Sequence, residues 1–248
     1  MKISVITVCF NSEETIESSI CSVLAQIGIE IEYLIIDGGS TDSTLQIIEK
    51  YRNSISHIES EPDEGLYYAL NKGIGLASGD IVGILHSDDF YPSHDILSNV
   101  EKAFIESGAD AVYGDLQYVR RFSPDKIFRN WVSGFYKDGL FLKGWMPPHP
   151  AFFVRKECYK KYGVFNTAFV SAADYELMLR FIHKYKVTIH YLPKVLVKMR
   201  AGGKSNLTLG SRLRANREDA KAWEINNLKP AWYTFILKPL SKVFQFFN

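Results

Sequence analysis

At 248 residues, with 46% hydrophobic and 14% aromatic side chains, the chain can bury the core of one α/β domain, which excludes global disorder. Its formal net charge of +1 conceals a polarised distribution: residues 1–100 carry 16 Asp/Glu against 4 Lys/Arg, and residues 194–248 carry 3 against 11. The acidic first part argues against nucleic acid as a partner, and the basic end suits a phosphate-rich ligand or an anionic membrane surface.

Ile3 to Phe10 is rich in β-branched residues and stops at Asn11-Ser12, the pattern of a strand feeding a helix. Ile16, Ile20, Val23 and Leu24 then recur at helical spacing. Ile31 to Ile36 reads as a second strand ending at Asp37-Gly38-Gly39-Ser40-Thr41-Asp42. There the glycines allow close backbone approach, and Ser40, Thr41 or Asp42 caps a helix over Ser43–Tyr51. A third strand, Ile55–Glu59, precedes a helix that starts at Asp63 or Glu64 and runs to Ala77. This alternation predicts a parallel sheet with right-handed crossovers. Neither a dinucleotide-binding G-x-G-x-x-G after the first strand nor a P-loop is present.

Gly79-Asp80 introduces the apolar run Ile81–Leu85, which suits a strand buried on both faces and stops at His86-Ser87-Asp88-Asp89. Ligands of open α/β sheets sit beyond the carboxyl ends of the strands. Two adjacent carboxylates there repel unless a proton or cation intervenes, and Mg²⁺ takes one or two carboxylates together with phosphate oxygens. The competing reading is a helix cap leading into Phe90-Tyr91-Pro92-Ser93. A helix over Ile96–Ser107 and a strand over Ala109–Gly114 complete this half.

Beyond Asp115 the alternation breaks into irregular or antiparallel strands, Leu116–Arg121 and Lys126–Val132, and a Gly-rich loop to Pro150. A short strand, Ala151–Val154, and a short helix, Lys156–Tyr162, follow. Ser171-Ala172-Ala173-Asp174-Tyr175 opens a helix with Leu177, Met178, Phe181 and Ile182 on its apolar face. Val187–Leu192 and Val195–Met199 read as two strands before the Gly-rich segment Arg200–Asn206.

The end of the chain combines a basic helix, Leu207–Ile225, with an aromatic stretch from Pro230 onward. Such a stretch either packs on the domain or lies in a membrane interface, and Lys238, Pro239 and Lys242 keep it from spanning. No other stretch approaches the ~20 apolar residues of a spanning helix, and the N-terminus has no signal-peptide pattern. Cys9, Cys21 and Cys158 lack C-x-x-C spacing and read as reduced, packing thiols. A cytoplasmic protein, peripheral on the inner face of the plasma membrane, is the expectation.

Four segments together carry a resemblance: the first strand with Asn11, Leu34–Thr44, Glu61–Asp89 and His149–Arg180. In this order they resemble the family 2 glycosyltransferases, inverting enzymes of the GT-A fold that use nucleotide-diphosphate sugars. Glu-Pro-Asp-x-Gly, Asn-Lys-Gly and the Gly-Asp before the central strand resemble a subgroup in bacterial surface-polysaccharide synthesis. The resemblance implies a Rossmann-like, mostly parallel sheet flanked by helices over residues 1–206, with a nucleotide-sugar half (1–115), an acceptor and catalytic half (116–206), and a helical tail (207–248).

It also makes Ser87-Asp88-Asp89 the end of a metal-binding D-x-D element for Mn²⁺ or Mg²⁺, with Asp88 the main carboxylate and Asp89 a second candidate. The family often has Asp where His86 stands, so His86 is a ligand, a support for one, or a packing residue. Asp37 and Asp63 match positions that contact base and ribose, and Thr7, Asn11, Asn71, Lys72 and Arg200 complete the implied donor-binding set. Asp174 matches the catalytic base, although Ala173 replaces the usual preceding Glu, and His149 matches a polar position near the acceptor. Gly38 stands where many members have Asp, and Leu70 where many have the Arg that meets the diphosphate, so Lys72, Arg200 or the metal ion must supply that charge.

The implied reaction is a single displacement. An acceptor hydroxyl attacks the anomeric carbon, a carboxylate takes its proton, and a cation offsets charge on the departing diphosphate. The expected activity is therefore transfer of a sugar from a nucleotide-diphosphate donor, UDP-linked, to a hydroxyl of a glycan or lipid-linked acceptor. A sugar-1-phosphate nucleotidyltransferase shares the sheet and the metal but needs a Gly-rich, Arg-containing loop after the first strand, which Thr7-Val8-Cys9-Phe10-Asn11 lacks. A non-catalytic nucleotide-sugar binding protein is the other alternative.

Overall fold

In the computed structural model, the backbone is described for residues 1–202 and 209–243, and side chains for 1–202 and 214–238. The first apolar run forms β1 (Lys2–Cys9), buried from Ile3 onward because both faces of the sheet are covered. It pairs in parallel with β2 (Glu30–Asp37) and β4 (Ile81–Ile84), and β2 pairs with β3 (His57–Ser60). The connections carry α1 (Ile16–Leu24), α2 (Thr44–Glu49) and α3 (Leu66–Leu76). The register aligns Cys9 with Asp37 and Asp37 with Ser60, so Asn11, Gly38, Asp63 and His86 all leave the sheet at one edge.

The second half adds antiparallel pairings. β8 (Phe152–Arg155) lies antiparallel between β4 and β6 (Ala111–Arg120). The two strands expected near Val187–Met199 are one, β9 (Ile189–Arg200), parallel to β6 with a register shift beside Gly114 that absorbs Pro193. β6 also forms a hairpin with β7 (Ser123–Trp131), and Asp89 and Phe90 form a two-residue strand, β5, antiparallel to β9. That pairing excludes the helix-cap reading of the aspartate pair: Asp89 enters a strand, and α4 (Ile96–Ser107) starts only later, with Asp95 at its N-cap.

The period-2 alternation of the strands divides the core between the two faces. Ile6, Val8, Leu34 and Ile36 pack with α3, α5 (Lys156–Tyr162) and α6 (Ala173–Met178). Val5, Tyr33, Ile35 and Leu85 pack with α1 and α4 on the other face. After Met178 the helix continues as a π-helical stretch, Leu179–Lys184.

Of the two readings of the end of the chain, core packing is what its described residues do. In α7 (Leu209–Ile225), Ala222 and Trp223 belong to the α6-side core. In α8 (Thr234–Val243), Thr234 and Lys238 are buried. The Lys238 ammonium pairs with Asp219 at 2.6 Å and lies 3.5 Å from the centre of the Tyr175 ring. The outer side of this region differs, with Trp232 84% and Ile236 54% exposed. The aromatic end, 244–248, lies outside the described residues, as does the Gly-rich loop from 203 to 208. Among the described residues, no helix is long and apolar enough to cross a membrane.

Candidate active site

The strand ends are tied to one another before any ligand is considered. Asn11 sits at φ 49°, a left-handed conformation that Asn tolerates better than most residues. Its Oδ1 accepts from the Thr41 backbone N–H at 2.9 Å, and its own N–H donates to Ser40 Oγ at 2.8 Å. Ser12 Oγ meets Ser87 Oγ at 2.9 Å, joining the ends of β1 and β4.

Asp37 is 1% exposed and accepts from the Gly39 and Ser40 backbone, the Ser40 and Ser60 hydroxyls and the Cys9 thiol. Burial alone would raise its pKa, but these donors hold it below the usual range. The absence of a side chain at residue 38 also has a cause here. A Cβ on Gly38 would stand 2.9 Å from Asp63 Oδ2, so the Asp63 carboxylate occupies the space beside that backbone.

At the end of β4 the two aspartates part company. Asp88 is partly exposed and faces a cavity of about 560 Å³. Burial pushes its carboxyl up, and the positive charges of Arg121, Arg200 and His149 offset this only in part. Asp89 is wholly buried, does not line the cavity, and has no hydrogen-bond partner on either carboxylate oxygen. Its pKa is raised well above the usual range by burial and by the neighbouring Asp88 charge. Arg200 braces the turn from behind: it donates to the Asp88 carbonyl and to Ser18 Oγ, each at 2.9 Å, with its guanidinium 4.5 Å from the centre of the Phe90 ring.

Three side chains from three separate segments meet in one line. His86 Nε2 lies 3.1 Å from His149 Nε2, and His149 Nδ1 lies 3.1 Å from Asp174 Oδ2. Burial, with the nearby His149 charge, pushes the His86 pKa down to about 3, so that ring is neutral at physiological pH. A neutral His86 complements either state of its neighbour, donating to a neutral His149 or accepting from a protonated one. Burial would raise the Asp174 carboxyl, but the hydrogen bond and charge of His149 outweigh it, with help from the Tyr175 backbone and Lys238. The result is a carboxyl held down to about 2, ionised and able to accept a proton.

The cavity thus brings together Asn11, Asp63, His86, Asp88, His149 and Asp174. Six other residues expected at the site do not line it. Thr7 is buried against the Tyr33 hydroxyl at 3.1 Å, and Asp37 and Asp89 are enclosed as described. The Asn71 amide is committed to the Phe165 backbone, donating at 2.8 Å and accepting at 2.9 Å. Lys72 pairs with Glu59 and Glu61, and Arg200 lies behind Asp88.

The sequence reading missed Arg121, the one Lys or Arg among the described residues that lines the cavity. It comes from the β6–β7 turn and is steadied by Glu14, with Nη2 to Oε2 at 2.9 Å. Its only mark in the sequence is the pair Arg120-Arg121 at a strand end, and a hairpin tip folding back over a distant cavity leaves no periodicity to read.

A sheet that gathers an aspartate turn, a second carboxylate and a cation around one cavity is what the resemblance to the GT-A glycosyltransferases implies. Residues 4–163 match the family described as Glycosyl transferase family 2, and the chain belongs to that family. An uncharacterized glycosyltransferase of Mycobacterium tuberculosis is 32% identical over 180 residues, covering 72% of this chain and 68% of that protein. A PGL/p-HBAD biosynthesis glycosyltransferase of Mycobacterium bovis is 30% identical over 209 residues, with 82% and 78% coverage.

Among solved structures, the Staphylococcus aureus TarS fragment 1–349 in complex with UDP-GlcNAc superposes with a TM-score of 0.69 at 21% identity. That match covers 91% of this chain and 65% of the TarS fragment's length. The mannosyltransferase PcManGT from Pyrobaculum calidifontis, in complex with GDP-Man and Mn²⁺, gives 0.66 at 19% identity, covering 96% and 67%.

Proposed function

We propose that this glycosyltransferase moves a sugar, with inversion, from a UDP-sugar to a hydroxyl of a glycan or lipid-linked acceptor in bacterial surface-polysaccharide synthesis. The observation that carries the reading is that Asp88 and the His149-held Asp174 line the same cavity. Nucleotide-sugar complexes of the TarS and PcManGT structures support the donor class.

Asn11 and Asp63, at the ends of β1 and β3, face the nucleoside, and Arg121 supplies the positive charge for the diphosphate that Leu70 does not. His149 engages one oxygen of Asp174, and the other takes the proton of the attacking acceptor hydroxyl. The proton arrives next to the His149–His86 pair, which can share its charge.

The residues present fit a divalent cation in one way. Asp88 is a hard oxygen ligand short of positive charge, and Mg²⁺-type sites use one or two carboxylates plus substrate phosphates. Among the described residues no group of three or more His, Cys, Asp or Glu is placed to hold an ion, so Asp88 would hold it together with phosphate oxygens of the donor. Bound there, Mn²⁺ or Mg²⁺ supplies Lewis-acid stabilisation of the leaving diphosphate. Asp89, buried and raised, takes no part in ligation in this reading, and neither does His86, whose Nε2 is engaged.

Exposed Trp232 and Ile236, with Lys229 nearby, support contact of residues 230–248 with an anionic membrane surface at the cytoplasmic face. The test of the function is UDP release from a panel of UDP-sugars with Mn²⁺ and with EDTA. Metal-dependent turnover of at least one donor is the expected result. Binding of UDP with no turnover of any donor, with or without glycan and lipid acceptors, overturns it.

A further inference from the structure

Asp174 reaches the cavity from a helix whose N-terminus has no side-chain cap of its own: Ala172 is the N-cap, and α6 is only six residues long. The N–H groups that lead into it are held by one side chain instead. The Val170 N–H donates to Glu218 Oε1 at 3.1 Å, and the Ser171 and Ala172 N–H groups donate to Glu218 Oε2 at 2.8 and 2.9 Å. Within the helix, the Glu176 N–H returns to the Ala172 carbonyl at 2.9 Å. Thus one carboxylate, 44 residues further along the chain than Asp174, closes the entry to the helix.

Glu218 is itself held in place. It belongs to α7, which Trp223 Nε1 fixes to the Tyr175 hydroxyl and Asn226 Nδ2 fixes to Glu176 Oε1, both at 2.9 Å. Asp219, the next residue, carries the buried pair with Lys238 of α8. The tail therefore grips residues 170–176 from their N–H groups to their side chains. We infer that Glu218 is a positioning residue for Asp174, and that the end of the chain is a working part of the active site.

A carboxylate accepting three N–H groups at a helix entry fixes that turn in place and favours the helix through its dipole. The distance and angle between a base and an acceptor hydroxyl depend on that turn, and small displacements of a catalytic group cost rate steeply. The donor side of the cavity is lined from the ends of β1 and β4 and the segment after β3, and no described residue of α7 lines it.

This inference rests on the reading of Asp174 as the base, and the experiment separates the two. UDP affinity, UDP release from whichever UDP-sugar the wild type turns over with Mn²⁺, and amide hydrogen exchange are measured for Glu218→Ala, Glu218→Gln, Asp174→Asn and the double variant Glu218→Ala/Asp174→Asn. Glu218→Ala is expected to lower kcat by roughly 10-fold with UDP affinity within twofold, and to speed exchange at 170–172 by roughly 10-fold. Glu218→Gln keeps one oxygen for Ser171 and Ala172 and is expected to recover part of both losses. In the Asp174→Asn background, removing Glu218 should cost little more, because it acts through Asp174. Full kcat in Glu218→Ala, an equal loss in both backgrounds, or a UDP affinity that falls as far as kcat overturns the inference. Wild-type turnover by Asp174→Asn alone is a different result and overturns the base assignment.

Discussion

His149 Nδ1 stands 3.1 Å from Asp174 Oδ2, a contact between the 3₁₀ turn His149–Ala151 and the start of α6. It fixes which oxygen of the carboxylate is engaged and, in the proposed reaction, which is left to take the acceptor proton. Asp174→Asn is expected to keep UDP affinity and lose at least ~100-fold in kcat, the low end for removing a general base. His149→Ala should leave UDP affinity unchanged and cost roughly 10-fold, since the base remains but loses its orientation. Steady-state kinetics beside calorimetry check both, and near-wild-type transfer by Asp174→Asn would mean that the residue is only part of a helix start.

Asp88→Asn should weaken UDP binding in Mn²⁺ and leave the weaker, metal-free binding unchanged. The variant removes the one partly exposed carboxylate of the aspartate turn, so phosphate charge is no longer bridged to the protein. Asp89→Asn is the contrast. Its buried carboxyl is already raised, so it should bind UDP and Mn²⁺ as the wild type does. Equal metal-assisted affinity of Asp88→Asn and wild type removes Asp88 from the metal site.

Arg121→Ala should weaken UDP binding by roughly 10-fold, the size of a charge-assisted hydrogen bond. Uridine, which lacks phosphate, should bind both proteins equally. The loss should shrink at high salt, because the side chain is partly exposed. A parallel loss of uridine affinity would show that the substitution disturbs the hairpin rather than the phosphate contact.

Stability should depend on acid through Asp174. Its carboxyl is held down to about 2 against an ordinary 3.8, so between those values the unfolded chain binds the extra proton. The stabilisation is fully present above about pH 4 and is lost as pH falls toward about 2, a change of about 2 kcal/mol at 1.4 kcal/mol per unit. Urea unfolding of wild type and Asp174→Asn across this range should show the difference between them shrinking as pH falls. A constant difference would mean that His149 does not stabilise the charged carboxylate.

At the end of the chain, Trp223→Ala should cost about 3–5 kcal/mol, because a wholly buried indole and its hydrogen bond to Tyr175 are lost. Trp232→Ala, at an 84% exposed position, should leave the melting temperature unchanged and weaken sedimentation with anionic vesicles. Absence of vesicle binding by the full chain removes the membrane reading of residues 230–248.

Much of this protein was legible in its residues one after another. The alternation of apolar runs and helical spacings in residues 1–107 located β1, β2, β4 and α4 within a residue or two, because local periodicity reports directly on which faces are buried. Asp88 was readable as a carboxylate at a strand end, whereas His149 and Asp174 were marked by the resemblance to family 2 glycosyltransferases. Tertiary structure alone decided what those residues do to one another. Nothing in spacing shows that His86, His149 and Asp174 share two contacts of 3.1 Å, that Asp89 turns inward while Asp88 faces the cavity, or that Lys72 and Asn71 are spent on Glu61 and Phe165. Nor could it show that Arg121 reaches the cavity or that Glu218 holds the backbone of residues 170–172 beside it. Local pattern records burial, which each segment carries in its own sequence, whereas hydrogen-bond partners and charge neighbours are set by chain segments that meet only when the sheet has closed.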